Sequence, residues 1–259
     1  MSLQSRAVTM TKQMIQIEST DPGTYENAMA NWITSQLAPY PNVQLTRQEV
    51  LPGRPNLMAE LPGDPALPAL IMICHMDTVV VGDGWTLPPF EAIEKNGKIY
   101  GRGACDMKSG LACCLSAFQY VAEMLKASGK TPKQTLKLIC SMDEEDFMRG
   151  SEACIQSGWI TDHDWVIDAE PTNGQIQMAH KGRTWYEIDV QGHTAHASTP
   201  WKGADAIAAM SEIICEIRHA ILYAPVHPDM GSSTVTFGQI TGGYRPYVVP
   251  DHCKLWIDM

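Results

Sequence analysis

Short apolar runs that alternate with one long helical pattern constrain the fold of the first two thirds of the chain. Residues 69–74, 135–140 and 164–169 are apolar and short, as is typical of buried strands. Between the first two runs, residues 107–126 place apolar side chains at helical spacing, at Leu111, Leu115, Phe118, Val121, Ala122 and Leu125. A strand, a helix and a strand of these lengths predict an α/β fold with a mostly parallel sheet covered by helices.

The last part of the chain has a different pattern. Residues 185–191 are expected to form a strand and residues 204–223 a helix, with further strands at 234–240 and 253–259. This β-α-β-β order predicts a second domain of the α+β type, so we divide the chain into residues 1–177 and 178–259. Because the last predicted strand ends on the final residue, we expect the sequence to stop within this domain.

Charge and cysteine usage narrow the partners and the compartment. A formal net charge of -10 argues against a nucleic-acid partner. No apolar run approaches the ~20 residues that span a bilayer, and residues 1–18 form an amphipathic pattern unlike a signal peptide. The eight cysteines form no CxxC pair and lie mostly in apolar segments. We therefore expect no membrane association and a location in the reducing cytoplasm.

The first candidate site follows the strand at residues 69–74. His75 and Asp77 are two residues apart, so in an extended segment their side chains share a face. One interpretation is an imidazole that binds a metal while the carboxylate holds its other ring nitrogen. The more common one is a histidine at a strand end that pairs with a neighbouring acid.

Three more acidic segments follow predicted strands or precede a helix. Asp106 lies just before the long helix, where an aspartate usually caps the helix N-terminus. Residues 143–146 are four adjacent carboxylates after the strand at 135–140, a run that is usually a solvated loop, and Glu170 follows the strand at 164–169. Because the carboxyl ends of parallel strands meet at one sheet edge, these residues and His75 are predicted to converge. Oxygen and imidazole ligands suit zinc, cobalt or manganese, and a shared carboxylate is typical of two-metal hydrolases.

In this order and spacing, the segments HMDTV, GRGACDMKSG, MDEED, AEPT and GHTAHAS resemble the M20 family of metallopeptidases. The family includes acetylornithine deacetylase, succinyl-diaminopimelate desuccinylase, aminoacylase and glutamate carboxypeptidases. The resemblance runs from about residue 15 to the end of the sequence. It implies a zinc-exopeptidase-like catalytic domain and an inserted ferredoxin-like dimerisation domain, which is incomplete in this sequence.

The resemblance also implies two divalent metals, with zinc preferred and cobalt or manganese as alternatives. His75 and Glu170 correspond to ligands of the first metal and Glu145 to a ligand of the second. Asp106 corresponds to the carboxylate that bridges the two. Family members are longer and supply a further histidine to the second metal after the small domain.

Three residues correspond to catalytic positions of the family. Asp77 would orient His75, and Glu144 would act as the general base for the attacking water. His196 resembles the histidine that stabilises the oxyanion in a neighbouring subunit of a homodimer, whereas its neighbour His193 has no assigned role.

The implied reaction is hydrolysis of an amide bond in an N-acyl amino acid or small peptide. Tyr247 stands where the family often has an asparagine that grips the substrate, so the substrate class is left open. Two alternatives remain: an inactive fragment or degenerate paralogue that only binds a metal or a partner, and another metal-dependent hydrolase such as an aminopeptidase. The GHTAHAS segment argues against the latter.

Overall fold

The structure, a computed structural model, describes residues 2–259 and separates into two compact units. The first unit ends at Gly174 and the second comprises Gln175–Met259. Among the helices of residues 2–259, none combines the length and the apolar character that a membrane span requires.

The first unit contains four helices and nine strands within its described residues. In chain order they are α1 (Leu3–Ile15), β1 (Thr20–Asp21), α2 (Asn27–Leu37), β2 (Gln44–Leu51), β3 (Arg54–Leu61), β4 (Leu70–His75), β5 (Thr78–Val79), β6 (Ile93–Lys95), β7 (Lys98–Tyr100), α3 (Lys108–Ser128), β8 (Leu136–Ser141), α4 (Arg149–Gln156) and β9 (Trp165–Asp168). The predicted strands and the long predicted helix are confirmed as β4, β8, β9 and α3, with bounds shifted by one or two residues.

The central sheet of this unit is mixed, so the prediction of a mostly parallel sheet is wrong. Its strand order is β2-β3-β8-β4-β9. β4 pairs in parallel with β8 and β9, whereas β3 is antiparallel to both β2 and β8. The physical reason is the tight connection Pro52-Gly53, in which Gly53 adopts φ +72° and folds β2 back on β3 as a hairpin.

Alternate residues of the central strands face two different hydrophobic layers. Cys74 of β4 and Leu138 of β8 pack in the larger core with α1, α2 and α3. Their neighbours Ile73 and Ile139 belong to a smaller cluster on the other face, which includes Cys154 of α4. This period of two is the expected geometry of a sheet covered on both sides. The parallel pairing of β4 with β8 and β9 places the carboxyl ends of these strands at one edge.

β9 differs from the buried strand that its apolar sequence predicts. Trp165 is 67% exposed and Ile167 is 53% exposed. Because β9 is the last strand in the sheet order and pairs only with β4, its side chains lack the neighbours that surround β4 and β8.

The second unit contains β10 (Trp185–Gln191), a short 3-10 turn at Pro200–Lys202, α5 (Ala206–Leu222), β11 (Thr236–Gly242) and β12 (His252–Asp258). Its antiparallel sheet has the order β10-β12-β11. Asp205 caps α5 by accepting the backbone N–H of Ala208 at 2.9 Å. Met210 and Leu255 are buried where the helix packs on the sheet, and the predicted β-α-β-β order is confirmed.

Candidate metal centre

His75 is the last residue of β4, and its side chain is fully buried. Its Nδ1 lies 2.9 Å from the backbone oxygen of Asp77 and 3.7 Å from the Oδ1 of that residue. The hydrogen bond that orients the imidazole is therefore made by the carbonyl of Asp77 rather than by its carboxylate. This contact leaves Nε2 directed at the acidic residues that follow.

Asp106 lies two residues before α3, and its side chain reaches back to this imidazole. Its Oδ1 is 3.0 Å from His75 Nε2, although 31 residues separate the two. The side chain of Asp106 is 55% exposed, so one side of the pair is open to solvent. The N-cap interpretation of Asp106 is wrong, because Met107 occupies the N-cap position of α3 and no side chain caps that end.

In the acidic run after β8, the side chain of Asp143 points into the protein, whereas those of Glu144 and Glu145 point towards His75. Asp143 has φ +63° and a buried side chain, which receives two hydrogen bonds from the guanidinium of Arg149. Glu144 Oε2 lies 4.0 Å from His75 Nε2, and Glu145 Oε1 accepts the backbone N–H of Val79 at 3.3 Å. The left-handed residue thus reverses the chain, so that the next carboxylates face the imidazole.

The carboxylate of Asp77 holds this turn. Its Oδ1 accepts the backbone N–H of Glu144 at 3.2 Å and its Oδ2 accepts that of Glu145 at 3.0 Å. Both oxygens are buried. Asp77 therefore makes two connections. Its carbonyl binds the imidazole of His75, and its carboxylate binds the backbone of residues 142–145, which we call the acidic turn.

Glu170 enters from the segment after β9. Its Oε1 lies 3.6 Å from His75 Nε2. The preceding residue, Ala169, touches α3 closely, since a Cβ at Gly110 would lie 2.2 Å from its carbonyl oxygen. Gly110 therefore allows the helix and the Glu170 segment to approach each other.

The charges of the site are unbalanced, and the pKa values reflect this. Burial raises the pKa of Glu145 to about 7, and the charge of Asp106 adds to the increase. Burial likewise raises the pKa of Glu170 to about 7. Burial lowers the pKa of His75, but the hydrogen bond with Asp106 and the surrounding carboxylates outweigh it and raise the value to about 10.

The donor set fits a divalent cation. His75, Asp106 and Glu145 offer ligand atoms that all lie within 4.8 Å of one another, and so do His75, Glu144 and Glu170. Carboxylates whose ionisation is opposed by burial and by their neighbours are the groups that a cation would stabilise. The structure thus brings together every predicted site residue of the first unit.

His196 lies in the second unit, where it contacts Ser198 and Val248. Its Nδ1 is 2.8 Å from the hydroxyl oxygen of Ser198, and its backbone pairs with Val248. His196 and Tyr247 are both exposed.

Several buried polar residues around the site were not predicted. Arg54, Asn56 and Glu26 lie behind the acidic turn, and Lys108 donates from Nζ to the backbone oxygen of Ile17 at 2.8 Å. Burial lowers the pKa of Lys108 to about 7. The only sequence signal for burial of Lys108 and Arg54 is that each stands next to an apolar helix or strand pattern. That signal is weak, because lysine and arginine are rarely buried.

Comparison with known proteins gives this site a context. Residues 71–249 match the family model described as "Peptidase family M20/M25/M40". A probable succinyl-diaminopimelate desuccinylase of Staphylococcus aureus is 37% identical over 167 residues, which cover 64% of this chain and 40% of that protein. Acetylornithine deacetylase of Buchnera aphidicola is 35% identical over 175 residues, or 65% of this chain and 44% of the relative. The chain thus spans about 40% of the length of the curated relatives it matches.

Solved structures share the fold. An M20 family metallo-carboxypeptidase from Sulfolobus solfataricus superposes with a TM-score of 0.72 at 18% identity, covering 97% of this chain and 70% of that one. A tripeptidase from Staphylococcus aureus gives 0.65 at 20% identity, with 98% and 65% covered.

Proposed function

We propose a function for this chain on the ground that it belongs to peptidase family M20/M25/M40. The model of that family matches more than half of the chain. The chain carries the metal centre of a hydrolase that cleaves an amide bond by means of two divalent metals. The observation that supports this most strongly is the convergence of four carboxylates around the imidazole of His75.

The ligand roles are those that the family implies, and the short distances from Asp106 and Glu170 to His75 Nε2 support them. His75 Nε2, Asp106 Oδ1 and Glu170 Oε1 would hold one ion, and Asp106 and Glu145 would hold part of the shell of the other. Imidazole and carboxylate ligands suit zinc, cobalt and manganese. Zinc is the preferred ion of this proposal, with cobalt or manganese as alternatives. When bound, such ions supply a polarised scissile carbonyl and a more acidic water.

Glu144 is the general base of this proposal. It lies next to the ligand Glu145, and its Oε2 faces the same imidazole. Its carboxylate takes a proton from the attacking water as the water oxygen bonds to the carbonyl carbon. The same carboxyl then delivers that proton to the amine nitrogen as the C–N bond breaks. Asp77 fixes the position of Glu144 relative to His75, because its carbonyl binds His75 and its carboxylate binds the backbone of Glu144.

The substrate is an N-acyl amino acid or a small peptide. Two relatives are named for removing succinyl or acetyl groups from amino acids, and one structural neighbour is named a tripeptidase. N-acetyl and N-succinyl amino acids and dipeptides therefore form the substrate panel, each assayed with zinc, cobalt and manganese.

The test compares Glu144→Gln with Glu91→Gln, a control at an exposed loop glutamate. Glu144→Gln is expected to reduce amide hydrolysis by about 100-fold or more while metal content stays near that of the unmodified chain. Hydrolysis that is unchanged in Glu144→Gln would contradict the mechanism. Metal binding without turnover in the unmodified chain would instead support the alternative of a chain that binds a metal or a partner without catalysis.

We also propose that the second unit mediates a homodimer in which His196 serves the partner's site as an oxyanion donor. Mixing His196→Ala chains with Glu144→Ala chains tests this. If His196 acts in the site of the partner, activity is partly regained on mixing. In a dimer of one chain of each kind, the site of the His196→Ala chain has its own Glu144 and the His196 of the other chain. Light scattering that shows only monomers, or mixing that restores nothing, would contradict it.

The eight cysteines are all unpaired, which supports our proposal of a reducing cytoplasm. Fractionation of the source cells with an antibody against the chain tests this placement.

A further inference from the structure

Four consecutive backbone N–H groups in the acidic turn donate to buried side chains. Met142 N donates to Asn56 Oδ1 at 3.1 Å, and Asp143 N donates to Glu26 Oε1 at 3.2 Å. The next two, those of Glu144 and Glu145, donate to Asp77. No helix or strand supplies these bonds, so the three acceptor side chains contribute directly to the path of the turn.

Glu26 is the acceptor whose presence needs the most explanation. It is fully buried and stands at the N-cap position of α2, yet its side chain does not cap that helix. Its carboxylate instead receives Nε of Arg54 at 2.9 Å and a second, shorter bond from Nη2. Arg54, on β3, is itself only 6% exposed.

Arg54 also contacts the turn directly. Its Nη1 lies 3.3 Å from Asp143 Oδ1, and its Nη2 lies 2.5 Å from Asp21 Oδ2. Asp143 has a left-handed backbone that is costly for a residue with a side chain. The Arg54–Glu26 pair therefore contacts Asp143 at two points, because Glu26 accepts its backbone N–H and Arg54 lies next to its carboxylate. Asp143 is the residue at which the chain reverses before Glu144.

Buried ion pairs are weak contributors to stability, because desolvation of the charges cancels much of their attraction. An apolar pair of similar size would fill the same space between α2 and β3. An apolar pair would offer no acceptor for the Asp143 amide, and it would leave the Asp143 carboxylate to Arg149 alone.

We infer that Glu26 and Arg54 are positioning residues that hold Glu144 and Glu145 in the geometry required for metal binding and proton transfer. The role of the turn in metal binding rests on the proposed function. The hydrogen bonds that position it do not, so the two can be tested separately.

Hydrogen exchange of the metal-free chain tests the positioning, with residues 141–148 followed by mass spectrometry. Glu26→Ala is expected to speed exchange of this segment by about 10-fold, since one buried acceptor is lost. Glu26→Gln, which retains an oxygen acceptor, is expected to restore most of the protection. The control is Phe118→Leu, a core substitution in α3 that lowers stability without touching the turn.

Cobalt(II) titration followed by its visible absorbance is the second measurement. Glu26→Ala and Arg54→Met are expected to weaken cobalt binding by about 10- to 100-fold, as loss of a residue that supports metal ligands does. Phe118→Leu is expected to bind as the unmodified chain does, and Glu26→Gln nearly so.

Two results would overturn the inference. One is exchange in the turn of Glu26→Ala that is no faster than in Phe118→Leu. The other is faster exchange with unchanged cobalt affinity. Failure of the unmodified chain to bind cobalt would instead refute the proposed function, and the exchange measurement would still decide whether Glu26 and Arg54 position the turn.

Discussion

The carboxylate oxygen Oδ2 of Asp77 accepts the backbone N–H of Glu145 at 3.0 Å, across 68 residues of sequence. Asp77→Ala removes this acceptor and the one for Glu144, whereas Asp77→Asn keeps one oxygen. We expect Asp77→Ala to weaken metal binding by about 10- to 100-fold and Asp77→Asn to have a smaller effect. Calorimetric titration measures both, with Asp83→Ala in an exposed loop as the control. Equal affinities for all three variants would contradict this role of Asp77.

Gly110 supports a second prediction, about Glu170. A methyl group at residue 110 would lie 2.2 Å from the carbonyl oxygen of Ala169, which is backbone and cannot rotate away. Gly110→Ala is therefore expected to shift the Glu170 segment and to weaken metal binding by about 10-fold. Gly182→Ala is the matched control, since the space around that glycine is open. Unchanged metal affinity in Gly110→Ala would show that the segment yields without moving Glu170.

Metal binding is expected to release protons. In the metal-free chain the pKa of His75 is raised to about 10, so the imidazole holds its proton at neutral pH. The pKa of Glu145 and that of Glu170 are raised to about 7, so both carboxyls are partly protonated there. A metal requires the deprotonated ligands, so its affinity should rise with pH through this range.

Calorimetry in buffers of different ionisation enthalpy counts these protons. We expect loading of the site to release about one proton per chain at pH 8, where His75 is the main source, and more near pH 6.5, where the glutamates contribute. A binding enthalpy that does not depend on the buffer would contradict a protonated His75.

The contact between α1 and α3 gives a prediction for folding stability. Hydrogen bonds from Arg6 and Tyr40 lower the pKa of Glu123. A carboxyl with a lowered pKa stabilises the fold above its unfolded pKa, about 4.3, and this contribution disappears as pH falls through the folded value.

Glu123→Gln should therefore lower the free energy of unfolding by at most about 1 kcal/mol at pH 7, because the pair is partly exposed. The difference from the unmodified chain should shrink below pH 4. Urea denaturation at the two pH values measures it. A difference that grows as the pH falls would contradict the assigned sign.

Much of the fold and the site was predictable because it depends on local patterns. The apolar runs that became β4 and β8 and the helical spacing that became α3 were visible in the sequence. The position of His75 and Glu145 after strands followed from the same patterns, since parallel strands end at one sheet edge. The order of the sheet was not predictable, because the β2–β3 hairpin joins it from outside the strand–helix–strand unit.

Sequence patterns were enough to predict which residues meet at the sheet edge: His75, Asp106, Glu144, Glu145 and Glu170. The different roles of the adjacent acidic residues became visible only in the folded molecule. Asp143 turns inward to Arg54 while Glu144 turns outward, and Asp77 orients His75 through its carbonyl and the turn through its carboxylate. The physical reason is that strand and helix periods are local properties of the chain. The direction of a carboxylate in a turn depends instead on buried partners such as Glu26 and Arg54, which are distant in sequence.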